Sequence, residues 1–292
     1  MRLDRLYQSR QKPDISIELF PPKTPEGISK LFETVERLKA VNPVFFSVTF
    51  GAGGSTRDLT IDLCRKLKES SGVEVMCHLN IVGQSREETT ANLQKIKASG
   101  IYNLLALRGD PPQDQPNFKP HPDGFDSSYQ LVEEAGKDPW FSIGVSGFPE
   151  IHPDAKGNRA DDIAYLKKKV DAGACVIFTQ LFLDNRFFFE FLDFVRKAGI
   201  SVPVIPGILP ILSAAQIRRF TALCGSTIPA DVAKNLEKYE TDDAGAAEYG
   251  VELATRQCSE LLKSGVPGLH FYALNRDASV RKILTNLRLK TE

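Results

Sequence analysis

Short apolar runs of strand length recur eight times along the chain, and each gives way to apolar residues at helical spacing. The fourth run shows the pattern most plainly. Residues 101–107 read as a buried strand that halts at Arg108-Gly109-Asp110, and Pro111-Pro112 then forbid any further ladder. Opposite charges at the end of a buried strand are costly inside a core. They cost little at the mouth of a barrel, where strand ends face a ligand. Taken alone, these residues read equally well as a loop salt bridge with a turn glycine, and it is the repetition that decides between the two.

The other runs are 15–20, 44–50, 73–79, 141–146, 174–180, 202–205 and 269–274. Between them, sets such as Ile28, Leu31, Phe32, Val35 and Leu38, or Phe187, Phe188, Phe191, Leu192 and Val195, mark one face of a helix. Ser55 or Thr56 can cap the helix carrying Leu59, Leu63 and Leu67, and Ser85-Arg86-Glu87-Glu88 is a capping box. Residues 226–264 hold one short and one long helix, more than a single crossover needs. The pattern predicts an α/β fold: a single (β/α)8 TIM barrel over 1–292, with extra helices between strands 7 and 8 and 1–14 as a short leading segment. An open doubly wound sheet would want a glycine-rich turn after its first strand, and Phe20-Pro21-Pro22-Lys23 cannot cradle a pyrophosphate that way.

Lys plus Arg and Asp plus Glu both number 37, so no basic excess argues for nucleic acid or an anionic membrane. No apolar run approaches the roughly 20 residues that span a bilayer. The charged start, Met1-Arg2-Leu3-Asp4-Arg5, lacks a signal-peptide core, which makes the cytoplasm the expected location. The 5 cysteines form no C-x-x-C pair and the 4 histidines none at i+3 or i+4, so neither zinc, another metal nor a disulfide framework is expected.

In such a barrel the site lies at the C-terminal strand ends. Those ends carry Glu18, Thr49, His78, Arg108 with Asp110, His152, Gln180, and Tyr272 with Asn275 and Arg276, a polar set converging from separate places. Glu18 sits among Ile17, Leu19 and Phe20, where desolvation would favour its protonated, proton-donating form. The bland reading pairs it with a lysine or arginine of a neighbouring strand. Asp110, with Arg108 two residues away, is expected to stay ionised. His78 and His152, each taken singly, read as structural hydrogen-bonders. No lysine ends a strand core, which argues against a Schiff-base aldolase.

Several short pieces occur in this order: Ile17-Glu18-Leu19-Phe20-Pro21-Pro22-Lys23, Ser47-Val48-Thr49-Phe50-Gly51-Ala52, Cys77-His78-Leu79, Ala106-Leu107-Arg108-Gly109-Asp110, Pro149-Glu150-Ile151-His152-Pro153, Thr179-Gln180-Leu181-Phe182 and His270-Phe271-Tyr272-Ala273-Leu274-Asn275-Arg276. On an eight-stranded pattern they resemble the bacterial methylenetetrahydrofolate reductase family, over nearly the whole chain. The resemblance implies a flavoprotein of one-carbon metabolism and methionine biosynthesis, with FAD or a shorter flavin and NADH or NADPH as electron donor. It implies a ping-pong reduction of methylenetetrahydrofolate to methyltetrahydrofolate in an oligomer of identical chains.

By resemblance, Glu18 is the general acid and Asp110 the charge near both flavin and pterin. Gln180, Tyr272 and Arg276 join them in holding the folate. Thr49, Ala52, His78, Arg108, Gly109, Asp110, Phe148, His152, Asp162, Tyr165 and Lys169 fall on flavin-contact positions, with Arg108 and Lys169 toward phosphate or ribityl oxygens. Phe148 stands where the family often has tyrosine, and Ala214 where some members carry an aromatic residue. Ser127 and Ser128 replace an expected aromatic-small pair. With nothing after residue 292, the allosteric control of longer relatives is not expected. Two alternatives are a folate-binding subunit without catalysis of its own and a related flavin barrel that oxidises an amino acid such as proline. Glu18 speaks against the latter, since amine oxidation needs no acid for ring opening.

Overall fold

Strand β1 (Asp14–Leu19) is buried at every residue, as a strand must be when one face meets a lumen and the other a layer of helices. Its pleat sends Ile17 and Leu19 out into the core between strands and helices, which also takes Phe46, Val48, Val75 and Phe271 from other strands. The computed structural model describes residues 1–7, 12–50, 57–111 and 117–289. Ala52, the cap candidates Ser55 and Thr56, and Pro112 and Pro116 lie outside the described residues.

After β1 come α2 (Pro25–Lys39), β2 (Phe45–Val48), α3 (Arg57–Ser71), β3 (Glu74–Asn80), α4 (Arg86–Ala98) and β4 (Asn103–Leu107). The second half holds α5 (Ser128–Gly136), β5 (Ser142–Gly147), α6 (Arg159–Asp171), β6 (Val176–Thr179) and α7 (Asn185–Lys197). It ends with β7 (Val204–Ile205), β8 (Gly207–Ile208), α8 (Ala214–Cys224), α9 (Ala230–Leu236), α10 (Asp243–Lys263), β9 (Gly268–Tyr272) and α11 (Ala278–Asn286). The expected capping box is present: Ser85 Oγ accepts from Glu88 N at 3.0 Å, and Ser85 N donates to Glu88 Oε2 at 2.8 Å. The extra helices before the last strand are α9 and α10.

All pairings are parallel, in the order β7-β6-β5-β4-β3-β2-β1-β9-β8. The seventh stave is cut in two by Pro206, which has no N–H to give. Its first half bonds to β6 and its second to β9, so the ring closes through one interrupted strand. Pro206 O accepts from His270 N at 3.0 Å, and Gly207 N donates to Thr179 Oγ1 at 2.9 Å. A Cβ at Gly207 would collide with Thr179 O and the Tyr272 ring, so only glycine fits this closure.

The leading segment is more than a lead-in. Leu3–Leu6 form a short helix, α1, whose Leu3 and Leu6, with Tyr7, plug the N-terminal end of the lumen against Phe45, Met76, Leu105, Val176, Phe178 and Ile205. Leu3 N donates to Asn103 Oδ1 at 3.0 Å and Asp4 N to Ser142 Oγ at 2.9 Å, fixing the plug to two strand starts. A helix of 4 residues is too short to show a period, and its flanks are charged, so its apolar face does not register in the sequence. Among the described residues no helix is long and apolar enough to cross a membrane.

Candidate functional site

Above the plug the lumen turns polar. Glu18 and Tyr272 are register partners on β1 and β9, as are Ser16 and His270. Residues two apart on a strand share a face, so these four side chains meet inside the barrel. Glu18 is 7% exposed. Its Oε2 stands 3.5 Å from His78 Nε2 and 3.7 Å from His270 Nε2, within ion-pair range and outside hydrogen-bond range. Neither Nε2 has a hydrogen-bond partner, although both atoms are buried. Ser16 Oγ lies 2.8 Å from His270 Nδ1 and 3.4 Å from Leu269 O.

This corrects the expected setting of Glu18. Its apolar sequence neighbours Ile17 and Leu19 point away into the helix-facing core, and its real neighbours are two histidines and a tyrosine. Nor is its partner a lysine or arginine. His270 is not among the strand-end residues the sequence points to; its i, i+2 spacing to Tyr272, on a strand beside Ser16 and Glu18, is the feature that marks it.

Burial drives the His78 pKa down to about 4, with Glu18 pulling it up and His270 pushing it down. An unfolded chain takes up this proton near the ordinary histidine value of about 6.5, and the folded one waits until about 4. Acid therefore favours the unfolded chain through His78 as pH falls between those values, and the penalty is complete below about 4. Denaturant midpoints across that window are expected to fall less steeply with acid in His78→Asn than in the parent. Equal slopes would remove His78 as the cause.

A cavity of about 710 Å³ opens at the C-terminal ends of β4, β5 and β6, within the usual range for small-molecule sites. Arg108, Gly109, Asp110, Phe148, His152, Asp162, Tyr165, Lys169 and Gln180 line it, so most of the expected flavin contacts do meet. Glu18, Thr49, His78, Tyr272 and Arg276 are not in its wall. The first four lie along the β9-β1-β2-β3 side of the mouth, and Arg276 is exposed on the rim beyond β9. Cys224, at the end of α8, interacts electrostatically with Asp110 and with Tyr272, which in turn feels Glu18. The two carboxylates thus share one end of the barrel.

Gly109 lets the turn after β4 pack against the end of β3. Its φ is +82°, and a Cβ would come within 2.9 Å of Asn80 Cβ. Arg108 does not serve Asp110 as expected; its Nη1 pairs with Asp154. Lys169 reaches in from α6, is buried, and donates from Nζ to Ser146 O at 2.6 Å. Burial lowers its pKa to about 8, opposed by nearby Asp162. Asp162 is itself pushed up by burial, with the His152 backbone and the Arg159 and Lys169 charges opposing, and its Oδ2 is buried without a hydrogen-bond partner. His152 Nδ1 accepts from Asp154 N at 3.0 Å, which leaves Nε2 as the donor of the neutral ring.

Other expected contacts are already committed within the protein. Tyr272 OH donates to Thr179 O at 2.5 Å, so its hydroxyl holds the wall rather than a ligand, and burial drives its pKa up. Asn275 bonds the Phe20 backbone both ways, at 2.8 and 2.9 Å, sealing β9 to the end of β1. Gln180 Oε1 takes Leu181 N at 2.8 Å, leaving its amide N–H groups as the ligand-facing donors. Tyr165 OH meets Ser128 N and Oγ, each at 3.1 Å, which gives the unexpected Ser128 a place in the cavity wall. Among the described residues no group of His, Cys, Asp and Glu is arranged to hold a metal ion.

Parallel staves closed on themselves, a carboxylate in the lumen and a cavity at the C-terminal strand ends define a (β/α)8 barrel built around a small-molecule site. A family model described as methylenetetrahydrofolate reductase matches residues 2–288, and the chain belongs to the methylenetetrahydrofolate reductase family. The 5,10-methylenetetrahydrofolate reductase of Salmonella typhimurium is 36% identical over 263 residues, covering 90% of this chain and 86% of that protein. Methylenetetrahydrofolate reductase (NADH) 1 of Zea mays is 41% identical over 287 residues, covering 95% of this chain and 48% of the relative. The chain therefore spans about half the length of the plant relatives it matches. Among solved structures, a Clostridium thermocellum protein described as binding two copies of 5-methyl-5,6,7,8-tetrahydrofolic acid shares the fold. Its TM-score is 0.68 over 97% of both chains, at 15% identity.

Proposed function

We propose that this barrel reduces methylenetetrahydrofolate to methyltetrahydrofolate in two half-reactions, with NADH or NADPH as electron donor and a bound flavin, FAD in the first instance. The observation that carries the reading is Glu18, buried in the lumen between two histidines whose Nε2 atoms bond to nothing else.

The cavity residues fit a flavin dinucleotide. Asp162 Oδ2 is buried and accepts no hydrogen bond, with Arg159 Nη1 3.6 Å away, and is an acceptor suited to a ribityl or ribose hydroxyl. His152 Nε2–H, Lys169 and Arg108 supply donors for phosphate oxygens. A bound flavin would supply hydride transfer between the nucleotide and the folate.

The remaining work falls to side chains of this chain. Opening the five-membered ring of the folate breaks the bond between its bridging carbon and one nitrogen, and that nitrogen must gain a proton, which Glu18 delivers. The cation left on the other nitrogen is stabilised by the Asp110 carboxylate across the mouth. Gln180 offers amide N–H groups to the pterin or to the nicotinamide carboxamide, and Arg276 on the rim suits a carboxylate of the glutamate tail. Ser16, donating to His270 Nδ1, keeps Nε2–H turned toward the Glu18 carboxylate, 3.7 Å away.

The test is a visible spectrum of the purified chain followed by anaerobic addition of each nucleotide. Flavin absorbance that bleaches with NADH or NADPH and returns on adding methylenetetrahydrofolate is the expected course. A colourless protein that gains no absorbance with FAD contradicts it.

A further inference from the structure

The turn after β5 holds a conformation that its residue type resists. Ile151 has φ +77°, and a β-branched side chain in the left-handed region is strained. Strain of this kind persists only where the surroundings over-determine it. Two groups do so here. Arg159 donates to Phe148 O at 2.9 Å and also to Pro149 O, gripping the turn from α6. Glu150 reaches the other way: its Oε2 accepts from Thr227 N at 2.9 Å, a residue 77 positions on, just past the end of α8. Its Oε1 is buried and bonds to nothing. The same short stretch after α8 also sends Ser226 Oγ to Leu181 O at 2.9 Å, next to Gln180.

We propose that Glu150 is a positioning residue: its bond to Thr227 clamps the His152 turn to the segment after α8, holds Ile151 left-handed, and so keeps the cofactor wall and the Gln180 wall in one fixed relation. Glu150 is not in the wall of the cavity, so its influence on a ligand runs through His152 and through the stretch 225–227. A carboxylate accepting a backbone N–H is among the stronger single bonds a loop can make, and its loss frees a strained turn to relax. The inference rests on the flavin reading for its affinity arm alone.

The 292-residue chain is compared with Glu150→Ala and Glu150→Gln by FAD titration and by amide hydrogen exchange. In Glu150→Ala, FAD affinity is expected to fall roughly tenfold or more, the scale of losing a hydrogen bond to a charged group. Exchange should quicken at 148–153 and 225–227 and stay unchanged in the barrel strands. Glu150→Gln keeps an acceptor oxygen and should restore both measures. Parent-like affinity and exchange in Glu150→Ala would overturn the clamp, and so would faster exchange spread evenly over the barrel. If the parent chain takes up no FAD, it is the cofactor reading that fails, and local exchange alone then decides the clamp.

Discussion

Glu18→Gln is expected to abolish transfer to the folate while sparing transfer from the nucleotide. The amide fits the same volume between His78 and His270 but has no acidic proton to give. Reduction of the bound flavin by NADH or NADPH needs no proton delivered to a leaving nitrogen, so stopped-flow bleaching should run at close to the parent rate. Re-oxidation by methylenetetrahydrofolate needs that proton, and removing a general acid typically costs about 10²–10⁴-fold. Equal loss in both halves would reject Glu18 as the specific donor and leave it a structural role. If Ser16 and His270 tune this acid, His270→Gln should lower folate reduction by a smaller factor and displace its pH profile, an effect that simple loosening of the wall would not produce.

The second large effect concerns stability. Leu6→Ala removes a side chain that is 3% exposed from the floor of the lumen. There it packs in one cluster with Leu3, Tyr7, Phe45 and Phe178. A large-to-small change in so enclosed a place costs roughly 2–5 kcal/mol, because transfer energy is lost and the rigid ring of strands cannot collapse onto the hole. The melting temperature should fall by several degrees, with nucleotide-to-flavin transfer unaffected below the transition. An unchanged melting temperature would mean that residues 3–7 leave the lumen in solution, and that the cluster does not contribute to the folded state.

Much of this architecture is legible along the chain, for a physical reason. A β/α unit needs a doubly buried strand, a polar strand end and a one-faced helix, and all three write strong local patterns. The expected run at 141–146 against β5, or at 101–107 against β4, differs from the structure only at its ends. What escapes is whatever depends on side-chain direction or on distant partners. Glu18 looks surrounded by apolar residues because sequence neighbours are adjacent in print, whereas the pleat separates them in space. Arg108 looks like the partner of Asp110, yet its arm reaches Asp154 on the loop after β5. Tyr272 looks like a ligand contact, yet Thr179 O takes its hydroxyl. Lys169 shows the opposite case: it reaches the end of β5 from a helix, so no reading of strand ends alone would find it.

The interrupted seventh stave has a consequence for evolution and engineering alike. Its two fragments offer only two register pairs to each flank, and the Tyr272–Thr179 bond crosses behind them like a rivet. The mechanical seam of the ring thus ends at Tyr272, the register partner of Glu18. Reshaping this side for a different substrate loosens the hoop, whereas the β4–β5 side, with its fuller ladder, can be remodelled at far lower structural risk.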